Sequence, residues 1–316
     1  MNILITESQD YSQKAIAAYT RLGHVEAGDL EKEDLLKIIP NYEVIVIRLA
    51  HMFDKEVLKS AEKLKYIITP TTGLDHIDTS YCAAKGIQII SLKGEQEFLN
   101  GIPSTAEHFF ALLLALIRNI PAAFQHVKEG KWDRQLFRGH NLQGMKLGIL
   151  GMGRVGSQVA GFARAFGMEV LTYDPSSNYL HPWMNQMDSA EELFSQSRIL
   201  SIHIPLNEAN IGFVSSDRIE LLPQASYMIN TSRGDVWDEN AVAMALKSGK
   251  LSGVATDVLT NETDPEKRDK NPLLQLAVKG YNVLLTPHIA GATYESMHLT
   301  EEFVADKFTA LVNHKK

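Results

Sequence analysis

Residues 147–167 read LGILGMGRVGSQVAGFARAFG, and their reading decides the fold. An apolar run leads into Gly151, Gly153 and Gly156 in G-x-G-x-x-G spacing, and a helical pattern of small and apolar residues follows. Glycines there permit a tight turn and bring a pyrophosphate close to the N-terminus of the helix, where free N–H groups and the helix dipole favour an anion. The next apolar run, EVLTYD, ends in Asp174, eighteen residues past Gly156. An acidic side chain at that strand end accepts hydrogen bonds from ribose hydroxyls and repels a 2′-phosphate. The following PSSNY (175–179) contains no Arg or Lys to hold such a phosphate. The stretch therefore predicts a dinucleotide-binding βαβ unit and NAD rather than NADP. A purely structural glycine turn is the alternative, and the strand before it and the helix after it argue against that.

The same alternation extends in both directions. Upstream, ILIT (3–6), VIVI (44–47), YIIT (66–69) and IQII (87–90) read as strands, with helical segments such as KEVLKSAEKL (55–64) between them. From residue 146, KLGIL, EVLTY, ILSIHI, SYMIN, GVATDV and NVLLT continue the series. Strands that alternate with helices imply crossover units and parallel sheets. Their near-continuous apolar character fits sheets covered on both faces. A helical stretch over 104–129, interrupted by Pro121, is expected to bridge two domains. The polar segment NETDPEKRDKNP (261–272) reads as a loop after a strand end, where open α/β sheets place their sites.

A chain of 316 residues exceeds what one core usually supports, so two domains are expected. The net charge of −7 argues against nucleic acid, which needs a concentrated positive field. Cys82 is the only cysteine, which excludes an internal disulfide and a cysteine-based zinc site. FFALLLALI (109–117) is nine residues long, whereas a membrane span needs about twenty. The N-terminus has no long apolar run of the kind a signal peptide carries. A cytosolic protein without a membrane partner is expected. His76, His108 and His203 lack spaced partners, so no metal site is expected.

A bound nicotinamide implies hydride transfer, which requires a base for a hydroxyl proton and a fixed cation for a carboxylate or carbonyl. INTSRGDV places Arg233 just past an apolar strand, between Ser232 and Gly234. A planar guanidinium suits two-point recognition of a 2-oxo or 2-hydroxy carboxylate. An exposed loop arginine is the alternative. GVATDVLTNETDP brings Asp257 to a strand end and Glu262 to the loop behind it. His288 follows in TPHIAGAT, at the end of the next strand. A carboxylate bonded to one imidazole nitrogen fixes the tautomer and stabilises the protonated ring. From these residues alone, His288 is a surface residue, a metal ligand or a proton-transfer group.

The chain resembles the D-isomer-specific 2-hydroxyacid dehydrogenase family. The matching stretches, in family order, are VIVIRLAHMFDKEVLKSAEKLKYI, TTGLDHID, STAEHFFALLLALIRNI, LGILGMGRVG, YDP, SIHIPLNEANIGFV, INTSRGDVWDENA, the loop from Asp257 to Glu262, and TPHIAGAT. The resemblance implies a catalytic set in which Arg233 orients and polarises the substrate, His288 exchanges the proton and Glu262 supports the histidine. It places Arg154 and Val155 against the cofactor diphosphate, with Pro205 also at the cofactor. Thr231, Ser232, Arg233, Asp257 and His288 to Ala290 and Gly291 would line the nicotinamide side. The backbone near Thr72 and Gly73, with Arg48 close by, would take the substrate carboxylate.

The family's architecture is two Rossmann-like, doubly wound parallel-sheet α/β domains. The resemblance implies an NAD-binding domain (101–287) inserted into a flavodoxin-like substrate-binding domain (1–100 plus 288–316). It also implies a homodimer formed through the bridging-helix region and, with the chain stopping at 316, no appended regulatory domain. Two departures bear on the substrate. Thr71 stands where the family's carboxylate loop has its first glycine, and SLKGEQEFLNGIPSTAE is several residues longer than usual, displacing Asn100. The expected activity is NAD-dependent interconversion of a D-2-hydroxy acid and its 2-oxo acid, with D-3-phosphoglycerate foremost. A glyoxylate or hydroxypyruvate reductase and an NAD(H)-sensing protein of the corepressor type are the competing readings.

Overall fold

The structure, a computed structural model, describes residues 1–177 and 180–314. Its strands in chain order are β1 (Asn2–Ile5), β2 (His24–Ala27), β3 (Val44–Val46), β4 (Tyr66–Ile68), β5 (Gln88–Ile90), β6 (Lys146–Leu150), β7 (Glu169–Tyr173), β8 (Asn185–Gln186), β9 (Ile199–Ile202), β10 (Ser226–Asn230), β11 (Leu251–Thr256) and β12 (Val283–Leu285). They form two wholly parallel sheets, one in the order β2-β1-β3-β4-β5 and one in the order β12-β11-β10-β9-β6-β7-β8. The first is the flavodoxin-like order; the second is the dinucleotide-binding order with one strand added. The five-stranded unit comprises Met1–Ile102 and the chain from Ala292 onward, and the seven-stranded unit, Pro103–Gly291, is inserted between these two parts.

In the first unit, side-chain alternation divides each strand between two cores. Ile3, Ile5, Val44, Val46 and Ile68 face the C-terminal helix through Val304, Ala305 and Phe308. Leu4, Ile45 and Ile67 face Leu35, Ile39, Val57 and Leu58. In the second unit, Leu147, Ile149 and Ile229 pack with Phe109, Leu113 and Leu116, while Leu150, Leu200 and Met228 pack on the other face. Burial on both faces explains why these strands read as continuous apolar runs.

Several expectations change. β2 reads HVEA, an edge strand with no fully buried residue, so no apolar signal marks it. The stretch 104–129 is not a free bridge: Ser104–Ile117 is a core helix of the second unit, and a second helix, Ile120–Lys128, follows a break at Asn119 with φ +54°. Pro121 lies in the first turn of that second helix, where its missing N–H costs nothing. The long segment 93–102 contains a short helix, Gln96–Leu99, and packs into the first unit. Leu99 and Ile102 are core residues, and Phe98 stacks on Phe303 at 4.0 Å. The expected boundary at 288 moves to 292, because His288, Ile289 and Ala290 donate their amides to Asp257 in the second unit. The boundary expected at 101 moves to 103. Among the described residues no single helix is long and apolar enough to cross a membrane.

The two parts of the first unit are joined by charge as well as by apolar packing. Glu301, on the C-terminal helix Tyr294–His314, is fully buried and is paired with Arg48 through Nη2 and through Nε at 3.0 Å. Its other oxygen accepts the Ser12 amide at 2.8 Å, and the Arg48 guanidinium lies 5.0 Å from the centre of the Tyr11 ring. Breaking a buried pair from one side typically costs about 3–5 kcal/mol. Arg48→Met should therefore lower stability by about that much in urea titrations. Adding Glu301→Leu should recover most of the loss, and an additive double variant would show that the pair is not coupled.

In the second unit, His203 follows β9. Burial first, and the charge of Arg154 second, push its pKa down to about 3, so the ring is neutral in the folded domain. An unfolded histidine titrates near pH 6.5. The unfolded chain therefore takes up a proton that the folded one refuses, and stability erodes as pH falls from about 6.5 towards about 3. His203→Asn should show a smaller loss of urea midpoint between pH 7.5 and pH 5 than the unaltered protein. An identical pH dependence would mean that His203 titrates normally.

Candidate functional site

The glycine turn is shaped by contacts that only glycine allows. Gly151 has φ +94°, and a Cβ there would lie 2.8 Å from the His203 carbonyl carbon. A Cβ on Gly156 would lie 2.3 Å from the Gly151 oxygen, so the helix Arg154–Ala165 packs directly on the turn. Gly153 caps that helix without any side-chain hydrogen bond, and a Cβ there would meet open space. The first-turn amides, including those of Arg154 and Val155, thus begin a helix with no side-chain cap, as an anion cradle requires.

Asp174, just past β7, accepts the Met152 amide at 2.9 Å with one oxygen. Its other oxygen accepts the Ser176 amide and hydroxyl at 2.9 and 3.0 Å. These bonds fix the carboxylate beside the turn. Asn178 and Tyr179 of the PSSNY segment lie outside the described residues. Pro205, beyond β9, has its carbonyl held by Asn210 at 2.8 Å.

The last three parallel strands are neighbours, so their C-terminal ends bring the remaining residues of the second unit together. At the end of β10, buried Asn230 accepts the Ser232 amide and hydroxyl, and its own amide group donates to the Arg233 carbonyl at 2.8 Å. Gly234 then lies against the loop after β11: a Cβ there would be 2.2 Å from the Leu259 carbonyl carbon. From the other side, Glu239 accepts the Thr260 amide at 3.0 Å and the Asn271 side chain at 2.6 Å. The Arg233 segment and the Glu262 loop are therefore one packed unit.

Glu262 accepts the Leu259 amide at 3.1 Å, and its other oxygen is hydrogen-bonded to His288 Nδ1. Both side chains remain partly accessible, at 30% and 28%. Asn261 and His288 both occupy the left-handed backbone region, at φ +56° and +55°. Such conformations are unfavourable for non-glycine residues and persist where surrounding bonds impose them. Here Asp257 imposes one of them. Its carbonyl accepts the His288 amide at 2.9 Å, and its carboxylate accepts the Ile289 and Ala290 amides at 2.9 and 2.7 Å. Burial pushes the Asp257 carboxyl up, but bonds from His108, Thr286 and these two amides outweigh it and hold its pKa below the usual range. Ala290 is buried and Gly291 is exposed.

The Thr231 hydroxyl is buried and has no hydrogen-bond partner among the described residues, as a site awaiting a polar ligand would leave it. With the open Gly153 and the fixed Asp174, it makes the second unit fit a dinucleotide from the ribose end to the nicotinamide end. No group of three potential metal ligands occurs among the described residues.

The remaining expected residues lie in the first unit. Arg48 gives Nη1 to the Gln9 carbonyl at 3.0 Å and other donors to Glu301, so its guanidinium serves the core of that unit. In the TTGLD loop, the Thr71 hydroxyl bonds to the Gly73 carbonyl at 2.8 Å and to Thr69 Oγ1 at 2.9 Å. The side chain that replaces the family's glycine thus braces the loop internally. These bonds leave the amides of Thr72 and Gly73 out. Sequence reasoning missed Asn230, Glu239, Asn271, Thr286 and His108. Asn230 acts on its near neighbours Ser232 and Arg233, whereas the other four bond to residues far along the chain, and no local pattern marks such partners.

Residues 110–290, more than half of the chain, match the family profile described as D-isomer specific 2-hydroxyacid dehydrogenase, NAD binding domain. A D-3-phosphoglycerate dehydrogenase of Archaeoglobus fulgidus is 36% identical over 94% of this chain and 54% of its own length. A hydroxypyruvate reductase of Thermotoga maritima is 34% identical over 86% of this chain and 85% of its own. The chain spans about half the length of the curated D-3-phosphoglycerate dehydrogenases it matches. The crystal structure of a D-lactate dehydrogenase from Aquifex aeolicus, complexed with NAD and lactic acid, superposes with a TM-score of 0.83 at 28% identity, covering 99% of this chain and 96% of that one. The chain belongs to the D-isomer specific 2-hydroxyacid dehydrogenase family, with NAD as its cofactor.

Proposed function

We propose that this chain is an NAD-dependent oxidoreductase that interconverts a short D-2-hydroxy acid and the corresponding 2-oxo acid. The observation that carries the reading is the His288–Glu262 pair, held at a strand end beside the Arg233 segment. Bound NAD supplies the hydride chemistry that no side chain provides. Arg154, Val155 and the glycine turn would hold its diphosphate, Asp174 its ribose, and Thr231 and the 288–291 segment its nicotinamide end. Arg233 presents a planar fork that suits a carboxylate and the neighbouring oxygen on C2. Glu262 occupies His288 Nδ1, which leaves Nε2 to give a proton to the C2 oxygen during reduction and to take it back during oxidation.

Relatives are named for D-3-phosphoglycerate and for hydroxypyruvate. The 2-oxo form of the first is hydroxypyruvate carrying one phosphoryl group, so the two share the head that Arg233 and His288 would engage. The deciding experiment is turnover of a 2-oxo acid panel containing both, with NADH and with NADPH. NADH should be clearly preferred. His288→Ala should lose about 10²–10⁴-fold in rate while still binding NADH. Reduction should slow as pH rises, since the donor is the protonated ring, and oxidation should quicken. NADH binding with no turnover across the panel would overturn the catalytic reading in favour of an NAD-sensing protein.

We also propose that a second copy of the chain covers the helix Ile120–Lys128. That helix buries none of its residues, and Phe124 (65% exposed), Trp132 (88%) and Leu136 (64%) make its neighbourhood strongly apolar. Sedimentation should show a dimer at micromolar concentration, which Phe124→Asp with Trp132→Ser should convert to a monomer. A monomeric unaltered protein would refute the assignment.

A further inference from the structure

Asp257 does more than line a site. Its side chain is fully buried, and its three oxygen atoms each hold one of three successive amides: the carbonyl takes His288, Oδ1 takes Ile289 and Oδ2 takes Ala290. The carboxylate can hold the Ile289 and Ala290 amides firmly only if it stays ionised and stays in place. The structure supplies an anchor for both. Thr286 Oγ1 donates to Asp257 Oδ1 at 2.6 Å. His108 Nε2 lies 3.0 Å from the same hydroxyl oxygen and 3.4 Å from Asp257 Oδ1.

The direction of these bonds follows from proton counting. Thr286 has a single hydroxyl proton, and Asp257, an acceptor when ionised, takes it. The Thr286 oxygen can then only accept from His108, which requires the tautomer with a proton on Nε2. The order is His108 Nε2–H to Thr286 Oγ1–H to Asp257 Oδ1. His108 belongs to the helix Ser104–Ile117, whose Phe109, Leu112 and Leu113 are core residues, so the chain of bonds ends on a firmly packed element.

We propose that His108 and Thr286 are positioning residues for proton exchange at His288, acting through the Asp257 carboxylate on the backbone of 288–290. The proposal rests on the reading of His288 as the acid/base. Neither residue touches substrate in this scheme. Without the anchor, the carboxylate is free to turn, the amides of Ile289 and Ala290 loosen, and the backbone that carries His288 loosens with them.

Thr286→Val removes the hydroxyl while keeping shape, and Thr286→Ser restores it. His108→Gln keeps a donor near the Nε2 position, and His108→Leu removes it. Two measurements apply: hydrogen–deuterium exchange of the amides of 288–290 in the protein without added ligand, and kcat with hydroxypyruvate and phosphohydroxypyruvate beside NADH affinity by fluorescence titration. A net hydrogen bond to a charged group is worth about tenfold or more. Thr286→Val and His108→Leu should therefore exchange those amides about tenfold faster and lose kcat about tenfold, with a distinctly smaller loss of NADH affinity, since the glycine turn and Asp174 still hold the rest of the cofactor. Thr286→Ser and His108→Gln should stay close to the unaltered protein in all three. Unchanged exchange in Thr286→Val, or an NADH affinity that falls as far as kcat, would overturn the proposal. His288→Ala keeps the two ideas apart. If it retains turnover, the acid/base reading fails and the proposal with it. If it loses turnover while Thr286→Val keeps kcat, only the positioning proposal fails.

Discussion

A histidine backbone at φ +55° is an unfavourable conformation, and in this protein it is held by one carboxylic acid residue. Asp257 grips the amides of His288, Ile289 and Ala290, and the geometry of the whole strand-end cluster depends on that grip. Free backbone of the sequence PHIAGAT has little reason to adopt that turn, since the left-handed region is uncommon for any non-glycine residue, histidine included. The strain is tolerated because three donors converge on a buried carboxylate, with His108 behind one of them, and losing them would leave a charge stranded away from water. The Glu262–His288 bond is built on this base. Its partner loop is held in turn by Gly234 and by the Glu239–Asn271 pair.

The first unit depends on a similar device used for a different end. Its two chain segments are more than a hundred residues apart in sequence, and apolar packing alone would let the C-terminal helix slide along its ridge. The Arg48–Glu301 pair, with Ser12 and Tyr11 around it, sets the register of that helix against the sheet. The cost of burying two charges is offset only because nearly every donor and acceptor has a partner. It follows that Arg48, which sits beside a carboxylate loop in the family pattern, is engaged first by its own core.

Much of the architecture was legible in residue order. Strands buried on both faces must be apolar throughout, so ten of the twelve announced themselves, and β2 and β8 escaped because an exposed edge strand and a two-residue strand carry no such run. The segment 93–102 carries no helical signal in its sequence because four helical residues make barely one turn. Only the burial of Leu99 and Ile102 and the stacking of Phe98 on Phe303 make it part of a core. At the site, Arg233, Glu262 and His288 were legible as residue types at three successive strand ends. Thr286 and His108 were not, because their meaning lies in a hydrogen-bond direction that spans 178 residues.

What the sequence by itself determined is the α/β alternation, the glycine turn with its acidic partner, and the residue types that follow each strand. All of these are local: a turn that only glycine can make, a period that only one secondary structure satisfies, a chemistry that only certain side chains possess. Tertiary structure alone decided that β10, β11 and β12 lie side by side and that Asp257, five residues before the Glu262 that the resemblance pairs with the imidazole, holds the backbone. Without the resemblance, two carboxylates five residues apart are equivalent candidates by residue type. One is fully buried beneath two amides and the other stands partly open beside the ring, and burial with its hydrogen bonds, a property of the folded chain and not of either residue, separates their roles.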